Sequence, residues 1–103
     1  MTLPSKELLN TLFLYINAEN PVISKDKIMF HLAGIETTIN IFQFAFIIKE
    51  KMTSLGIILK SYSYPDTAFC KIENGCYVEL LEGSCEVDAI IKAGNYICKN
   101  LKI

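Results

Sequence analysis

The clearest hydrophobic pattern lies in the last part of the chain, between Gly75 and Leu101. Positions 76 to 81 show the period-two alternation of a strand with at least one buried face. Gly83 ends this predicted strand, and Ser84 is the predicted N-cap of a helix. The apolar face of that helix carries Val87, Ile90, Ile91, Gly94, Ile97, Cys98 and Leu101 at helical spacing. Its polar face carries Asp88, Lys92, Asn95 and Lys99.

The middle of the chain predicts a strand, a helix and two more strands. Residues 28–37 are almost continuously apolar, as in a strand that is buried on both faces. Residues 38–52 predict a helix that is apolar nearly all round, so it needs cover on two sides. Two further strands are predicted at residues 57–64 and 68–74, separated by a turn.

The first 27 residues are predicted to form an arm that completes the domain. Residues 5–12 fit a short helical turn or an extended segment, and Leu12–Ile16 fits a strand that ends in a turn at residues 17–21. We expect a single domain over residues 1–103, with residues 1–27 as an N-terminal arm or strand and residues 28–103 as the core. The predicted class is α+β, with two main helices on one face of an antiparallel or mixed sheet.

Composition narrows the possible partners. The formal net charge is −1 and the basic residues are scattered, so we expect no nucleic-acid partner. The longest uncharged run, residues 37–48, is far shorter than the roughly 20 residues that span a bilayer. With no signal-peptide pattern at the N-terminus, we expect a cytoplasmic protein without a membrane partner. Because 51% of the residues are hydrophobic, we also expect apolar surface to be buried between subunits.

No motif in the sequence predicts catalysis. There is no glycine-rich phosphate loop, no nucleophile elbow and no His–Glu metal pair, so we expect no enzyme, no catalytic residue and no cofactor. His31 is the only histidine, and we expect it in the core or at an interface. The cysteines have a spacing that matches no metal or cluster pattern, so we expect reduced, mostly buried thiols. They are Cys70, Cys76, Cys85 and Cys98.

Several short segments resemble the shell-protein domain of bacterial microcompartments. They are the segment Ala33–Thr37, the apolar helix after it, the strands at Leu55–Leu59 and Gly75–Gly83, and the helix that contains Val87–Gly94. The resemblance extends from Leu32 to Leu101 and implies a ferredoxin-like α/β sandwich. The family also has a strand after its last helix. An extra N-terminal strand would replace it here, as in the circularly permuted branch of the family.

The same resemblance implies a structural shell subunit. Such subunits form cyclic hexamers, tile edge to edge with other shell proteins around enzymes in a cytoplasmic microcompartment, and pass small metabolites through a central pore. The family's glycine-rich pore loop is missing, and a longer stretch stands in its place. The pore-lining residues implied are Tyr64, Pro65, Asp66, Thr67, Phe69 and Cys70. In a ring, Asp66 would form a circle of carboxylates, and Cys70 is the one candidate ligand for an iron–sulfur cluster.

Two functions from other classes stay open. The segment Thr38–Phe44 is similar to the modification site of an acyl carrier protein, in which a serine precedes such a helix. Here the residue is a threonine, and no aspartate precedes it. The other possibility is a small ferredoxin-like regulatory module that binds a ligand in a pocket between protomers. A carrier protein should be a monomer, whereas a shell subunit is a homo-oligomer, so a mass measurement in solution separates these two functions.

Overall fold

The computed structural model describes residues 1–13 and 19–101, and in them it shows two three-stranded antiparallel sheets and three helices. The sheets have the strand orders β1-β2-β3 and β4-β5-β6, so each is a simple meander. This architecture confirms the predicted α+β class. The prediction of one sheet is wrong, because the described strands form two separate antiparallel sheets. The elements are α1 (Lys6–Leu12), β1 (Glu19–Ser24), β2 (Lys27–Leu32), β3 (Ile35–Asn40), α2 (Ile41–Ser54), β4 (Ile58–Ser63), β5 (Ala68–Asn74), β6 (Tyr77–Gly83) and α3 (Glu86–Asn100).

The helices and both sheets share one hydrophobic core. Helix α3 packs across β4, β5 and β6, while α2 lies beside α3 and contacts β2, β3 and β4. Helix α1 packs on α3 and α2. The smallest extent of the molecule is 18 Å, which accommodates two layers of secondary structure about 10 Å apart. This arrangement leaves the opposite face of the β4-β5-β6 sheet open to solvent.

The single strand predicted over residues 28–37 is wrong, because this segment forms a hairpin. Ala33 and Gly34 have φ angles of 51° and 81°, the left-handed pair that a two-residue hairpin turn requires. Leu32 pairs with Ile35 across the turn. Alanine is an unusual residue at a left-handed position. The sequence pattern is therefore that of one continuous apolar run and does not predict this turn.

The helix predicted over residues 38–52 begins later than expected, at Ile41. Thr38 lies in β3, where it pairs with Met29. Asn40 accepts a hydrogen bond from the Phe42 amide, and Gln43 accepts one from the Asn40 amide, which forms a capping box. The helix begins where these caps satisfy its free amides, and the β-branched residues before it remain in a strand.

The strand predicted at Leu12–Ile16 is wrong at its first residue, since Leu12 is the last residue of α1. The rest of that prediction lies mostly outside the described residues. Ser5 is the N-cap of helix α1, and its hydroxyl accepts a hydrogen bond from the Leu8 amide. The turn predicted at residues 17–21 is also wrong in its second half, because β1 begins at Glu19.

The first helix fills the space between the two long ones. Leu8 and Leu9 are fully buried. A Cβ atom on Gly94 of α3 would lie 3.0 Å from both terminal methyl carbons of Leu8 and 3.3 Å from a methyl of Ile48 in α2. The close approach predicted at Gly94 therefore exists, but it serves contact between helices and not contact with the sheet.

The polar face predicted for α3 is partly buried by the N-terminal segment. Asp88 is only 3% exposed, and its carboxylate accepts hydrogen bonds from the Thr2 amide (2.7 Å) and the Ser84 amide (2.9 Å). The Asn95 side chain donates to the Leu3 carbonyl. Ser84 is therefore not the N-cap: its amide and hydroxyl both donate to Asp88, and the cap residue is Cys85.

Candidate functional site

Helix α2 is covered by the rest of the molecule on one side only. Its inward side buries Phe44 and Ile48 completely. On its outward side Phe42 and Phe46, one turn apart, are 65% and 64% exposed. The sequence predicted that this helix needs cover on two sides, and within the described residues the second side has none. Adjacent exposed aromatic rings on one helix are the strongest sign of a binding surface in this molecule.

A groove runs between this outward side of α2 and the first turns of α3. It has a volume of about 360 Å³ and is lined by Phe42, Ala45, Phe46, Lys49, Glu86, Val87 and Ile90. A second hollow of about 310 Å³ adjoins it, and Met1, Ile41 and Cys85 are among its lining residues. Phe42, Glu86 and Val87 line both, so they form the divider between the two hollows.

A short chain of hydrogen bonds forms the polar part of this groove. The Lys49 ammonium donates to the Ser61 hydroxyl (2.6 Å), and that hydroxyl donates to a Glu86 carboxylate oxygen (2.8 Å). The three side chains come from α2, β4 and α3, so the network ties these elements together. It pairs one positive with one negative charge, which leaves the groove without a net charge. Lys49 donates a hydrogen bond to Ser61 and is not placed to accept the hydroxyl proton, so the geometry fits a structural cross-link.

Cys70 lies directly opposite Ser61 in the sheet and is fully buried. Burial raises the pKa of the Cys70 thiol to about 11, although the nearby Lys49 ammonium acts in the opposite direction. The thiol is therefore protonated at neutral pH. In its buried position under α3, Cys70 is not available at a surface where copies of the chain could meet.

The other residues expected at a pore lie in and beside the turn between β4 and β5. Pro65 and Asp66 are exposed in the turn between β4 and β5, and the Tyr64 amide donates to the Thr67 carbonyl across this turn. Phe69 lies on the outer face of the sheet, opposite to Cys70, and its ring centroid is 6.0 Å from that of Tyr64. The structure thus brings the aromatic pair and the turn together and separates Cys70 from them.

His31 has acidic neighbours that sequence spacing did not reveal. It is half-buried in β2, and its partners in the adjacent strands are Glu19 and Glu36. Its Nδ1 atom is buried and has no hydrogen-bond partner among the described residues. Within residues 1–13 and 19–101, no three His, Cys, Asp or Glu side chains are placed to share a metal ion.

Comparison with known proteins provides no relative for this chain: no family model, no curated protein and no solved structure matches it. Among the helices that the structure describes, none has the length and apolar character needed to cross a bilayer. The features of this chain that bear on its function are therefore the α2–α3 groove and the sequence segments described above.

Proposed function

We propose that the protein is a structural subunit, not an enzyme, and that it binds other copies of itself through the outward side of α2. The observation that supports this most strongly is the exposure of Phe42 and Phe46 beside an apolar groove. Water-exposed aromatic rings on a well-packed helix are unfavourable in an isolated chain, and self-association removes them from water.

The energy available from these rings is large enough to decide whether copies associate. A buried aromatic side chain removes about 200 Å² from water, so covering the exposed two thirds of one ring contributes about 3 kcal/mol. A two-fold contact covers Phe42 and Phe46 of both copies, which amounts to about 12 kcal/mol in total. Association costs about 4–15 kcal/mol in lost freedom of motion. Loss of one ring per copy should therefore be enough to separate the copies.

The shape and charge of the surface are compatible with a contact between identical copies. The ring of Phe42 stands between two hollows, so a two-fold partner can place its own rings into hollows of the same kind. The Lys49–Ser61–Glu86 network links the two charged side chains that line the larger hollow, and the smaller hollow adds Lys25 and Asp26. The side chains of the two hollows thus carry equal numbers of positive and negative charges.

For the identity of the assembly, we propose the microcompartment shell that the sequence resemblance implies. The quoted segments and the two-layer α+β architecture support it. In this proposal the fold is ferredoxin-like, hexamers tile with other shell proteins, and the exposed turn at Pro65 and Asp66 lies near the symmetry axis through which small metabolites pass. A crystal structure in which neighbouring copies of Asp66 lie far from any rotation axis would remove the pore from this proposal.

The acyl-carrier alternative has less support. It needs a hydroxyl-bearing residue at the start of the helix, but Thr38 lies inside β3 and Asn40 occupies the cap. A mass shift equal to one phosphopantetheine group on the purified protein would reverse this preference. A regulatory module that binds a small ligand would use the same α2–α3 groove, with the partner copy closing it.

Light scattering after size exclusion, at micromolar concentration, tests the proposal. We expect the wild type to be an oligomer and both Phe42→Glu and Phe46→Glu to be monomers. Ile35→Glu is the matched control, because Ile35 is equally exposed but lies on β3, and this variant should keep the wild-type mass. A monodisperse wild-type monomer rules out self-association. A dimer in place of a hexamer supports the α2 contact and rules out the hexameric shell.

A further inference from the structure

The open face of the second sheet is formed by residues other than those of the α2–α3 groove. We define the outer face as the side of β4, β5 and β6 that points away from α3. Strand register arranges its side chains in three rows of three. The rows are Ile58–Glu73–Val78, Lys60–Lys71–Leu80 and Tyr62–Phe69–Glu82.

Large apolar side chains on the two edge strands are exposed on this face. Ile58, Tyr62, Val78 and Leu80 are each between 42% and 56% exposed. The other side of the same sheet is closed, with Leu59 nearly and Ile72 completely buried in the core. The outer face therefore consists of two apolar edges on either side of a central strand.

The centre of the outer face carries a lysine that forms no ion pair among the described residues. Lys71 occupies the middle of the nine positions, directly opposite Lys60, and like charges in such a pair are unfavourable. Lys60 forms an ion pair with Glu73 at 3.2 Å. Lys71 forms none with any residue that the structure describes. A ligand that places a carboxylate at this point would form a direct ion pair with Lys71.

The position of Lys71 argues against a second copy as the occupant. Two identical sheets that pack face to face are related by a two-fold axis parallel to the sheets. When such an axis passes below the centre of the outer face, Lys71 of one copy meets Lys71 of the other. Nucleic acid fits poorly as well, because Glu73 and Glu82 offset the two lysines and leave no positive field for phosphates.

The dimensions of the outer face fit a single short helix better than a folded protein surface. Strands of six or seven residues are about 20 Å long, and three of them form a surface about 14 Å wide. A helix with its side chains is about 10–12 Å across, and 20 Å of helix is about 13 residues. The area is well below the roughly 800 Å² per partner of a standard protein interface, so a single short segment fits better than a folded surface.

We propose that the outer face binds an amphipathic helix of a partner protein, with a carboxylate at the centre of the helix's apolar side. The apolar residues of the helix cover the two edge strands, and the carboxylate pairs with Lys71. This interaction does not depend on self-association through α2, because the outer face and the α2–α3 groove share no residue.

The test uses the full chain and fluorescence anisotropy with a designed, labelled helical peptide of about 14 residues. The peptide carries leucines at i, i+3, i+7 and i+10 and one glutamate at the middle of that apolar side. The comparison peptides have glutamine or lysine in place of the glutamate. The protein variants are Lys71→Glu, Leu80→Glu and Lys6→Glu. The last is the matched control, because Lys6 is an exposed lysine on α1 and does not belong to the outer face, and thermal melting followed by circular dichroism verifies that each variant folds.

We expect the wild type to bind the glutamate peptide about threefold more tightly than the glutamine peptide, with the difference lost at high salt. Lys71→Glu should reverse the preference and bind the lysine peptide best, which a purely structural effect would not produce. Leu80→Glu should abolish binding, and Lys6→Glu should leave it unchanged. The proposal fails if the wild type does not distinguish the peptides, or if a labelled oligouridine binds more tightly than the glutamate peptide.

Discussion

The buried carboxylate of Asp88 makes the stability of this protein depend on pH in a predictable way. Burial by itself would raise the pKa of Asp88, but hydrogen bonds from the amides and hydroxyls of Thr2 and Ser84 outweigh it and lower the pKa to about 2. In the unfolded chain the value is 3.8. The ionised form is thus held more tightly in the folded state, and it links the N-terminal segment to α3.

The size of the effect follows from the two pKa values. A difference of about 1.8 pKa units corresponds to about 2.4 kcal/mol of stability. Because the folded-state pKa is the lower one, this contribution is fully present above about pH 5. It decreases as the pH falls, is about half its full value at pH 3, and is lost below about pH 2.

Urea denaturation of the wild type and Asp88→Asn measures this contribution. The asparagine cannot carry the charge, so we expect Asp88→Asn to lower the free energy of unfolding by about 2 kcal/mol at pH 7 and by about half as much at pH 3. Glu82→Gln, at an exposed carboxylate, is the control and should change little. A loss for Asp88→Asn that is the same at pH 7 and pH 3 would show that the charge of Asp88 does not stabilise the fold.

Two substitutions test the packing of the helices by urea denaturation. Leu8→Ala should lower the free energy of unfolding by about 3 kcal/mol, because Leu8 is fully buried between helices. The control Leu3→Ala, at an exposed position, should lower it by less than about 0.5 kcal/mol. Equal effects would mean that α1 is not anchored as described. Gly83→Ala should cost about 3 kcal/mol, since its Cβ would lie 2.7 Å from the Cα of Ala89. Gly34→Ala, which meets no atom within 4 Å, should cost only the roughly 1 kcal/mol of a left-handed backbone. If Gly83→Ala does not lower the free energy of unfolding more than Gly34→Ala does, the contact between β6 and α3 is looser than in this structure.

Local sequence patterns were sufficient to predict the helix and strands in the second half of the chain. The strand predicted at residues 68–74 coincides with β5, and the strands on either side and α3 are shifted by only a few residues. These segments have regular periods and clear glycine or proline boundaries, so short-range preferences and the final fold agree. The first half of the chain lacks such boundaries. The Ala33–Gly34 turn there contains an alanine in a left-handed conformation, which a propensity argument does not anticipate.

The sequence by itself determined the α+β class, the apolar character of α2 and the absence of a recognisable catalytic motif, because these depend on composition and on periods of two to four residues. The tertiary structure decided which side of α2 stays open, where Asp88 points, and that Lys71 lies at the centre of an uncovered sheet face. These properties arise from contacts between residues far apart in the chain, such as Thr2 with Asp88 and Lys49 with Glu86 through Ser61. Such contacts leave no periodic signal in the sequence, because each depends on how whole elements pack against one another.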